Sequence, residues 1–414
     1  MSNQDFDFER LIQPIDIATF LENYWEQRSL VLIRKQADYY ASLFSMEYVE
    51  DLIRFTDLKS QDCRVFKTTE GESVKTYAAM ENSYSNSYAA NQLYDAYNQG
   101  NTLCIHKIHD RCKSVATFCR NLEAFLNHPV NINLYLTPKD AQGFPPHYDT
   151  HDVFVLQIAG SKNWRIYESF SDIPLVTKGY IVDQNKLDAP LHEVCLQPGD
   201  LLYIPRGHVH EAMTSETSSL HLTVGVSVFE WATLINEAIA SVAEQNVNFR
   251  KALPVGFLHN SEAKASIKNQ LAQLLQILAE CANDEDAMER LTKRFISGMS
   301  PLPDGHFISL DAVNEINPNT TIAKRQGMIC QITKKADSVM IQFPGGTVTG
   351  PPHIEPALRF IVNSEEFLVK DLPGFLSNNS KLVLVQRLVK EGLLKIQQRS
   401  TTSTTESLKI TSNV

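Results

Sequence analysis

The sequence predicts an α+β multidomain protein in which a jelly roll of short β-strands is followed by helices and then by a small mixed domain. Three observations predict this order. Apolar and polar residues alternate through residues 163–167 and 219–226, which is the period of a half-buried strand. From residue 229 to residue 299 the apolar residues are instead spaced at three and four positions, as in a helix. Beyond Pro301, strand-like and helical runs occur together.

The N-terminal region predicts helices. Residues 15–25 space their apolar side chains at three and four positions. Residues 45–53 do the same and begin with Ser45, a residue type that often caps the first turn of a helix. We therefore expect helical structure before the first strands of the jelly roll.

The central region predicts a β-hairpin over residues 154–167. Phe154–Ile158 is apolar and β-branched, residues 159–162 contain a glycine, and residues 163–167 alternate at the strand period. A further short strand, residues 201–204, follows the turn at residues 196–200. Short strands at this spacing suggest a double-sheet jelly roll, the double-stranded β-helix of the cupin type.

His147 and Asp149 lie where the predicted hairpin begins. Residues two apart on a strand share a face, with Cα atoms about 7 Å apart, so both side chains can bind one ion. His208 and His210, which follow a Pro-Arg-Gly turn, both offer a third ligand, and the pattern prefers neither. Two imidazoles and one carboxylate leave open positions, as in non-haem Fe(II) oxygenases, whereas a structural zinc site closes all four positions.

His151 lies on the same strand face as His147. Four residues along a strand cover about 13 Å, which is a long span for two groups that must both approach one metal. We therefore expect His151 to lie outside the ligand set.

Composition excludes several classes of protein. The formal net charge of -10 over 414 residues argues against a general nucleic-acid binder, which would show a basic stripe. The seven cysteines are scattered and lack CxxC spacing, so we expect reduced thiols and neither a zinc module nor a disulfide framework. No signal-peptide pattern follows Met1, and no window approaches about eighteen consecutive apolar residues. We expect a soluble, cytoplasmic protein without membrane contact.

A set of motifs in the central region keeps the order and spacing of the JmjC ribosomal oxygenases, which the chain resembles. They are Asn133-Leu-Tyr-Leu-Thr-Pro138, Gln142-Gly143-Phe144, His147-Tyr148-Asp149, Phe154-Val-Leu-Gln157, Gly160-x-Lys162-x-Trp164-Arg165, Pro198-Gly199-Asp200, Tyr203-Ile-Pro-Arg-Gly-x-x-His210 and Ser219-Leu-His-Leu-Thr223. The resemblance implies a cofactor, Fe(II), and a co-substrate, 2-oxoglutarate, with O2 consumed and succinate and CO2 released. It also implies His147, Asp149 and His210 as the iron ligands.

The same resemblance implies that Lys162 forms a salt bridge with the distal carboxylate of 2-oxoglutarate, and that Tyr135 and Asn133 line the same pocket. A dicarboxylate that chelates iron through one end needs a cation for the other end, which an ammonium group supplies. The chain departs from the family at Gly225, where the family often carries a hydroxyl residue. A hydrogen bond from that position is therefore lost or replaced.

The resemblance also implies a domain order. Residues 1–228 form the catalytic domain with an N-terminal helical cover, residues 229–300 form a helical dimerisation domain, and residues 301–399 form a winged-helix domain. Residues 400–414, rich in Thr and Ser, predict a disordered or loosely attached tail. Basic and acidic residues offset one another over residues 355–399, so we expect a structural or protein-contact role there and no direct DNA binding.

We therefore predict a homodimeric oxygenase that hydroxylates a histidine or arginine side chain of a ribosomal protein. Ribosomal proteins are strongly basic, so an acidic enzyme suits them electrostatically. The alternatives are demethylation of N-methyl-lysine, hydroxylation of a non-ribosomal protein or peptide, and a metal-binding cupin without turnover. A protein of the last kind would have no reason to keep a co-substrate anchor at Lys162.

Overall fold

The structure is a computed structural model, and it divides the chain into two compact units, Met1–Gly298 and Met299–Val414. The structure describes residues 6–59, 61–67, 75–77, 90–169, 173–175, 180–302 and 304–397. The predicted tail, residues 400–414, lies outside the described residues. None of the described helices is long and apolar enough to cross a membrane.

In the first unit, helices and short strands of the N-terminal region are followed by a strand-rich centre and then by three helices. Its helices are α1 (Phe8–Ile12), α2 (Ile17–Asn23), α3 (Met46–Phe55), α4 (Ala90–Asn98), α5 (Lys113–Leu126), α6 (Trp231–Gln245), α7 (Ser261–Cys281) and α8 (Asp284–Gly298). Its strands are β1 (Leu30–Leu32), β2 (Cys63–Lys67), β3 (Lys75–Tyr77), β4 (Thr102–Ile105), β5 (Val130–Thr137), β6 (His147–Tyr148), β7 (Asp152–Gly160), β8 (Lys162–Ser169), β9 (Tyr180–Ile181), β10 (His192–Leu196), β11 (Leu201–Ile204), β12 (His208–Met213) and β13 (Ser219–Val226).

The predicted N-terminal helices are present, and side chains fix where they start. Asp7 caps α1 by accepting from the backbone N–H of Arg10 at 2.8 Å, and Asp16 caps α2 by accepting from that of Thr19 at 2.9 Å. Ser45 occupies the N-cap position of α3 as predicted, but its hydroxyl makes no capping hydrogen bond. The apolar faces of these helices are buried in one core with the larger sheet.

Two antiparallel sheets form the jelly roll, which confirms the predicted cupin architecture. Among the described residues, one sheet has eight strands in the order β1-β11-β7-β13-β5-β4-β2-β3, and the other has five in the order β10-β8-β12-β6-β9. Apolar side chains of β7, β8, β10 and β11, including Val155 and Ile166, form a core between them. The interior of the jelly roll is therefore closed by one strand layer on each side.

The predicted hairpin over residues 154–167 was wrong. Its two strands, β7 and β8, lie in different sheets, because β7 pairs with β11 and β13 whereas β8 pairs with β10 and β12. The chain turns from one sheet to the other at Gly160, whose φ is +62°. A Cβ atom at this position would lie 1.8 Å from the backbone oxygen of Ser218. A glycine turn at a jelly-roll corner has the same local pattern as a hairpin turn, so the pattern could not separate them.

The segment after β13 is helical, as predicted. Helix α6 packs on α8 through ion pairs, in which Arg290 contacts Glu237 at 3.2 Å and Glu244 at 2.6 Å. The rings of Phe229 and Phe295 meet edge to face at 5.6 Å. These helices belong to the same compact unit as the jelly roll.

The second unit is a mixed domain with its own core. Its helices are α9 (His306–Asp311), α10 (Glu355–Asn363) and α11 (Asn378–Lys390), and its strands are β14 (Thr321–Lys324), β15 (Gln331–Lys334), β16 (Val339–Phe343), β17 (Gly346–Gly350), β18 (Glu366–Leu368) and β19 (Leu394–Ile396). Among the described residues these strands form two three-stranded sheets, β18-β14-β19 and β15-β16-β17. The predicted sequence of helix followed by terminal strand is present as α11 and β19.

We expect Gly160→Ala to lower the free energy of unfolding by more than about 2 kcal/mol, because the substitution combines a positive φ with a backbone clash. Chemical denaturation measures the loss. Gly298→Ala, at the end of α8 with no atom within 4 Å of the added carbon, is the matched control and should be near neutral. Equal stability of the wild type and Gly160→Ala would contradict the tight corner.

Candidate metal centre

Three side chains from two neighbouring strands converge on one point inside the jelly roll. Strands β6 and β12 are antiparallel, with His147 directly opposite His210. Opposite residues in such a pair have side chains on the same face, about 5 Å apart. The two imidazole centroids are 4.4 Å apart, and His210 Nε2 lies 3.6 Å from a carboxylate oxygen of Asp149. All three potential ligand atoms lie within 4.8 Å of one another, and no other such group occurs among the described residues.

Backbone carbonyls orient both imidazoles. The Nδ1 atom of His147 lies 2.8 Å from the oxygen of Pro145, and that of His210 lies 3.1 Å from the oxygen of His208. A ring whose Nδ1–H donates to a carbonyl has its Nε2 lone pair free to bind a metal, which is the usual arrangement in protein metal sites.

The protonation states of Asp149 and His210 also suit the binding of a cation. Burial, followed by the neighbouring His147, lowers the pKa of His210 to about 4, so that its ring is neutral at physiological pH. Burial opposes the ionisation of Asp149, but the neighbouring imidazoles, led by that of His151, outweigh it and keep the pKa of the carboxyl below its ordinary value. Two neutral imidazoles and one carboxylate are the donor set that Fe(II) oxygenases use.

His208 and His151, the other candidates, lie outside the group of three. His208 is buried and stands opposite Ser169 on β8, and a register shift separates it from His210, which stands opposite Ile166. His151 lies against Gly225 on β13. The structure therefore brings together the two histidines and the aspartate that the family resemblance implied.

A buried polar network holds the two ligand-bearing segments together, and sequence reasoning missed it. The backbone N–H of Gly207, just before β12, donates to the backbone oxygen of Asp149 at 3.0 Å. Next to it, the fully buried carboxylate of Asp152 accepts from the hydroxyl of Tyr203 at 2.7 Å and lies 3.6 Å from Arg206. Burial raises the pKa of Asp152 to about 6.

Glu26 completes this network, because its carboxylate lies 2.5 Å from Arg206 and its backbone N–H donates to Tyr203. The sequence marked Arg206 only as part of a turn. A charged residue between an apolar strand and two histidines was the available signal, but its partners come from distant parts of the chain.

Lys162 is a buried cation at the start of β8, with 5 % of its surface exposed. Its Nζ atom donates to the hydroxyl of Thr137 at 3.1 Å and lies 5.8 Å from the ring of Trp164. None of the described carboxylates lies within 4 Å of it. Burial therefore lowers the pKa of Lys162 to about 7. An anion beside Nζ would compensate this burial.

Aromatic rings connect Lys162 to the group of three ligands. Trp164, which contacts Lys162, lies 6.2 Å from the ring of His210 and meets the ring of His221 edge to face at 5.6 Å. Tyr135 stacks on His221 with ring centroids 5.1 Å apart. Burial raises the pKa of Tyr135 well above its ordinary value, so the phenol stays protonated. The cation and the three ligands thus share one interior wall.

An open cavity of about 750 Å³ is lined by residues close in the chain to this site, since Asn133 lies two residues before Tyr135 on β5 and His151 lies two residues after Asp149. Its lining is polar and comes from separate elements: Gln61, Asp62, Arg64, His106, Lys107, Asp110, Arg111, Asn131, Asn133, His151, Gly225 and Ser227. Asn133 lies in this cavity, where its side-chain oxygen accepts from the backbone N–H of Lys107 at 3.1 Å. Most of these residues carry no local sequence signal, because only the fold brings them together.

Comparison with known proteins agrees with this geometry. The JmjC domain family matches residues 107–234, which include Lys162 and all three ligands. Mouse ribosomal oxygenase 2 is 30% identical over 285 residues, which are 66% of this chain and 59% of that protein. A bifunctional lysine-specific demethylase and histidyl-hydroxylase NO66 of Aedes aegypti is 29% identical over 311 residues, 70% of this chain and 47% of that protein. The chain thus spans less than two thirds of these relatives' length.

Solved structures show the same fold. The Escherichia coli ribosomal oxygenase YcfD aligns with a TM-score of 0.54 at 17% identity and covers 92% of this chain and 98% of its own. YcfD in complex with cobalt and 2-oxoglutarate aligns with a TM-score of 0.51 at 18% identity, over 93% of this chain and 99% of its own. The jelly roll and its two histidines and aspartate define a JmjC-domain protein. Within that class, the chain is similar in sequence to ribosomal oxygenase 2 and NO66, and its fold is that of YcfD.

We expect Lys162→Met to raise the free energy of unfolding of the ligand-free protein at neutral pH. The ammonium group has a pKa of about 7 when folded and its ordinary 10.5 when unfolded, so the unfolded chain binds more protons between these values. The free-energy cost of burying the Lys162 ammonium group is therefore greatest at and below pH 7 and disappears as the pH rises to 10.5.

Denaturation of the wild type and Lys162→Met at several pH values checks this prediction. The difference in stability between them should shrink between pH 7 and pH 10.5. The exposed Lys139→Met is the matched control and should show no such trend. A difference that does not change with pH would contradict the buried ammonium group.

Proposed function

We propose that the protein is an Fe(II)- and 2-oxoglutarate-dependent oxygenase that hydroxylates a histidine or arginine side chain of a ribosomal protein. The observation that carries this proposal is the pairing, in one interior, of a His-Asp-His ligand group with a buried lysine that lacks a carboxylate partner among the described residues. The names of the relatives support it, since they include ribosomal oxygenase and histidyl-hydroxylase. A ribosomal substrate makes a cytoplasmic location the natural one.

His147, Asp149 and His210 would hold the iron, because their donor atoms face one another, and the pKa shifts of Asp149 and His210 favour an ionised carboxylate and a neutral imidazole. Fe(II), with 2-oxoglutarate and O2, supplies the oxidising power that converts a C–H bond of the substrate to C–OH, with release of succinate and CO2. The protein contributes the orientation of the ligands through Pro145 and His208, and a wall that limits access of water.

Lys162 would bind the distal carboxylate of 2-oxoglutarate, since a carboxylate beside Nζ compensates its burial. We propose that Tyr135 and Asn133 line the same pocket. Tyr135 carries a protonated phenol and stacks on His221, which contacts Trp164 beside Lys162. Asn133 lies two residues before Tyr135 on β5 and lines the outer cavity.

The lining of the outer cavity favours an uncharged target side chain. Asp62, one of its two carboxylates, is already paired with Arg111 at 2.8 Å, and Arg64 and Lys107 add positive charge. A guanidinium group would need a carboxylate that is free to pair with it. A methylated ammonium group would need aromatic faces, and no described aromatic residue lines this cavity. The other carboxylate, Asp110, lies 3.8 Å from His109 Nε2. The lining carries three basic side chains, Arg64, Lys107 and Arg111, against two carboxylates, and this excess of positive charge favours an uncharged histidine over arginine and hydroxylation over demethylation.

We further propose that residues 229–300 form a dimerisation domain. Large apolar side chains on its helices are exposed in the single chain: Trp231 at 81%, Leu275 at 56% and Leu271 at 54%. Exposed apolar side chains at helical spacing are typical of a protein contact surface. A second copy would bury them.

For residues 301–399 we propose a winged-helix fold with a structural or protein-contact role. The sheet β18-β14-β19 with helices α10 and α11 supports it. Several basic side chains of this unit are paired with carboxylates, which argues against a phosphate-binding face. These pairs are Lys334 with Glu355, Arg359 with Glu355, Arg387 with Glu391, and Lys395 with Asp304.

Intact-mass comparison of ribosomal proteins tests the proposed function. The proteins are isolated from cells with and without this gene. We expect one ribosomal protein to be lighter by a single oxygen atom in the deletion strain, and fragmentation to place that oxygen on a histidine. An unchanged set would contradict the ribosomal substrate, and a difference of methyl groups in place of oxygen would favour the demethylase.

We expect His147→Ala and Asp149→Ala to abolish 2-oxoglutarate consumption and to weaken Co(II) binding by at least about a hundredfold, because each variant removes one of three ligands. Spectroscopic titration with Co(II) and succinate analysis measure both effects. His192→Ala, which removes an exposed histidine of β10, is the matched control and should behave as the wild type. Full turnover by either ligand variant at equal metal loading would refute the assignment.

We expect the protein to be a homodimer at micromolar concentration, and Trp231→Glu to make it monomeric, since this change places a charge in the proposed contact surface. Light scattering coupled to gel filtration measures the mass. Phe55→Glu, at an exposed aromatic residue of α3 outside that surface, is the control and should leave the mass unchanged. A monomeric wild type would count against the dimerisation domain.

A further inference from the structure

Gly225 leaves a gap in the wall of the cavity, and the side chain of His151 fills it. A Cβ atom at position 225 would lie 2.6 Å from Cδ2 and 2.9 Å from Nε2 of His151. Side-chain carbons do not approach other atoms this closely, so any larger residue at 225 excludes the observed position of the imidazole. The φ of Gly225 is not positive, so the backbone does not require glycine here. The close approach of His151 is what requires it.

The position of Gly225 is set by strand β13 and by the two strands that pair with it. Gly225 lies on β13 between Asn131 of β5 and Val153 of β7. His151 lies two residues after Asp149, the carboxylate of the proposed metal centre. The imidazole therefore belongs to the part of the cavity lining that is nearest in the chain to the metal centre.

The polar atoms of this wall are available to a ligand. The ring nitrogens of His151 make no hydrogen bond to any described residue, and neither does the side-chain amide of its neighbour Asn131. Both side chains are half-buried and line the cavity. Half-buried polar groups of this kind are normally paired with protein, water or ligand. His151 does not belong to the group of three metal ligands, so its partner is not the metal.

We propose that His151 is a specificity-determining residue that contacts the side chain to be modified, and that Gly225 is present because it makes room for this contact. The proposal rests on the proposed oxygenase function and deepens it. An imidazole and an amide each donate and accept hydrogen bonds, so together they fit an uncharged target that does the same. The imidazole of a histidine in a basic ribosomal protein has this chemistry.

The alternative is that His151 only fills space beside Gly225. In that case removal of the ring would change stability but not substrate selection. Three variants separate the two: His151→Ala, Gly225→Ala and the double variant. Two further variants, His192→Ala and Gly298→Ala, are matched controls. His192 is exposed, and Gly298 has no atom near an added carbon.

Thermal unfolding without substrate tests the geometric part of the proposal. Gly225→Ala should lower the melting temperature of the wild type, because the added carbon collides with His151. The same change should have no such effect in the His151→Ala background, where the ring is gone. An equal loss in both backgrounds would overturn the link between the two residues.

Substrate modification tests the functional part. Each variant is loaded with Fe(II) and 2-oxoglutarate and incubated with the ribosomal fraction, and separately with the remaining soluble protein, of a strain that lacks this gene. Intact-mass analysis follows the added oxygen. His151→Ala and Gly225→Ala should raise the KM for the target by at least about tenfold, with affinity for 2-oxoglutarate within about threefold of wild type and with Co(II) still bound far more tightly than by Asp149→Ala. The double variant should be no worse than His151→Ala.

Every other outcome overturns a defined part of the proposal. An unchanged KM in His151→Ala overturns the specificity role, and a loss of Co(II) binding as large as that of Asp149→Ala overturns it by assigning the residue to the metal centre. If the wild type modifies a protein only in the non-ribosomal fraction, the proposed ribosomal substrate fails, and His151 is judged on that protein by the same variants. If the wild type binds Co(II) and 2-oxoglutarate but modifies nothing, both proposals fail.

Discussion

The antiparallel pairing of β6 with β12, which sets His147 opposite His210, is the constraint on which the metal centre depends. Strand β6 has two residues, and a slip of one residue would turn a ligand toward the other face of the sheet. Contacts outside the pair hold its register. The backbone N–H of Gly207 bonds to the carbonyl of Asp149, and Arg206 contacts Asp152 in the adjacent buried network. Backbone pairing therefore sets the positions of the two histidines, and the contacts of their own rings with backbone carbonyls set the orientation of the imidazoles.

One residue inside the jelly roll, Lys162, lowers the stability of the ligand-free fold. Lys162 is buried beside a hydroxyl and an indole ring, neither of which neutralises its charge. The continuous apolar core of the larger sheet and its covering helices offsets that cost. A position that opposes folding is retained when the fold needs the group for something else, and a co-substrate with a free carboxylate is the simplest such need. The same reasoning supports the proposed role of Lys162 without reference to any relative.

Sequence patterns predicted the parts of this structure that are local. The two-residue spacing of His147 and Asp149 placed two ligands on one strand face, and the alternation over residues 219–226 predicted β13. Partners across the fold were not accessible in this way. Strands β7 and β8 were assigned to one hairpin because their glycine turn looks the same whether the chain continues in one sheet or crosses to the other. The choice of His210 over His208 depends on a register shift against β8, which no spacing within β12 reveals.

The residues of the metal centre and those of the outer cavity have different structural surroundings. The ligands, Lys162 and Tyr135 are anchored by strands that pair on both sides or by backbone bonds next to them, so substitutions there disturb the chemistry itself. Much of the outer cavity is lined by side chains from segments between strands, such as residues 106–111 and His151, although Asn131, Asn133 and Gly225 lie on strands. The segments between strands accept substitution without loss of strand register, because they take no part in the sheet hydrogen bonds. A small residue at one position, Gly225, lets a side chain from a different segment occupy its space. Under the proposed function, target selection can therefore change through such exchanges while the metal centre stays as it is.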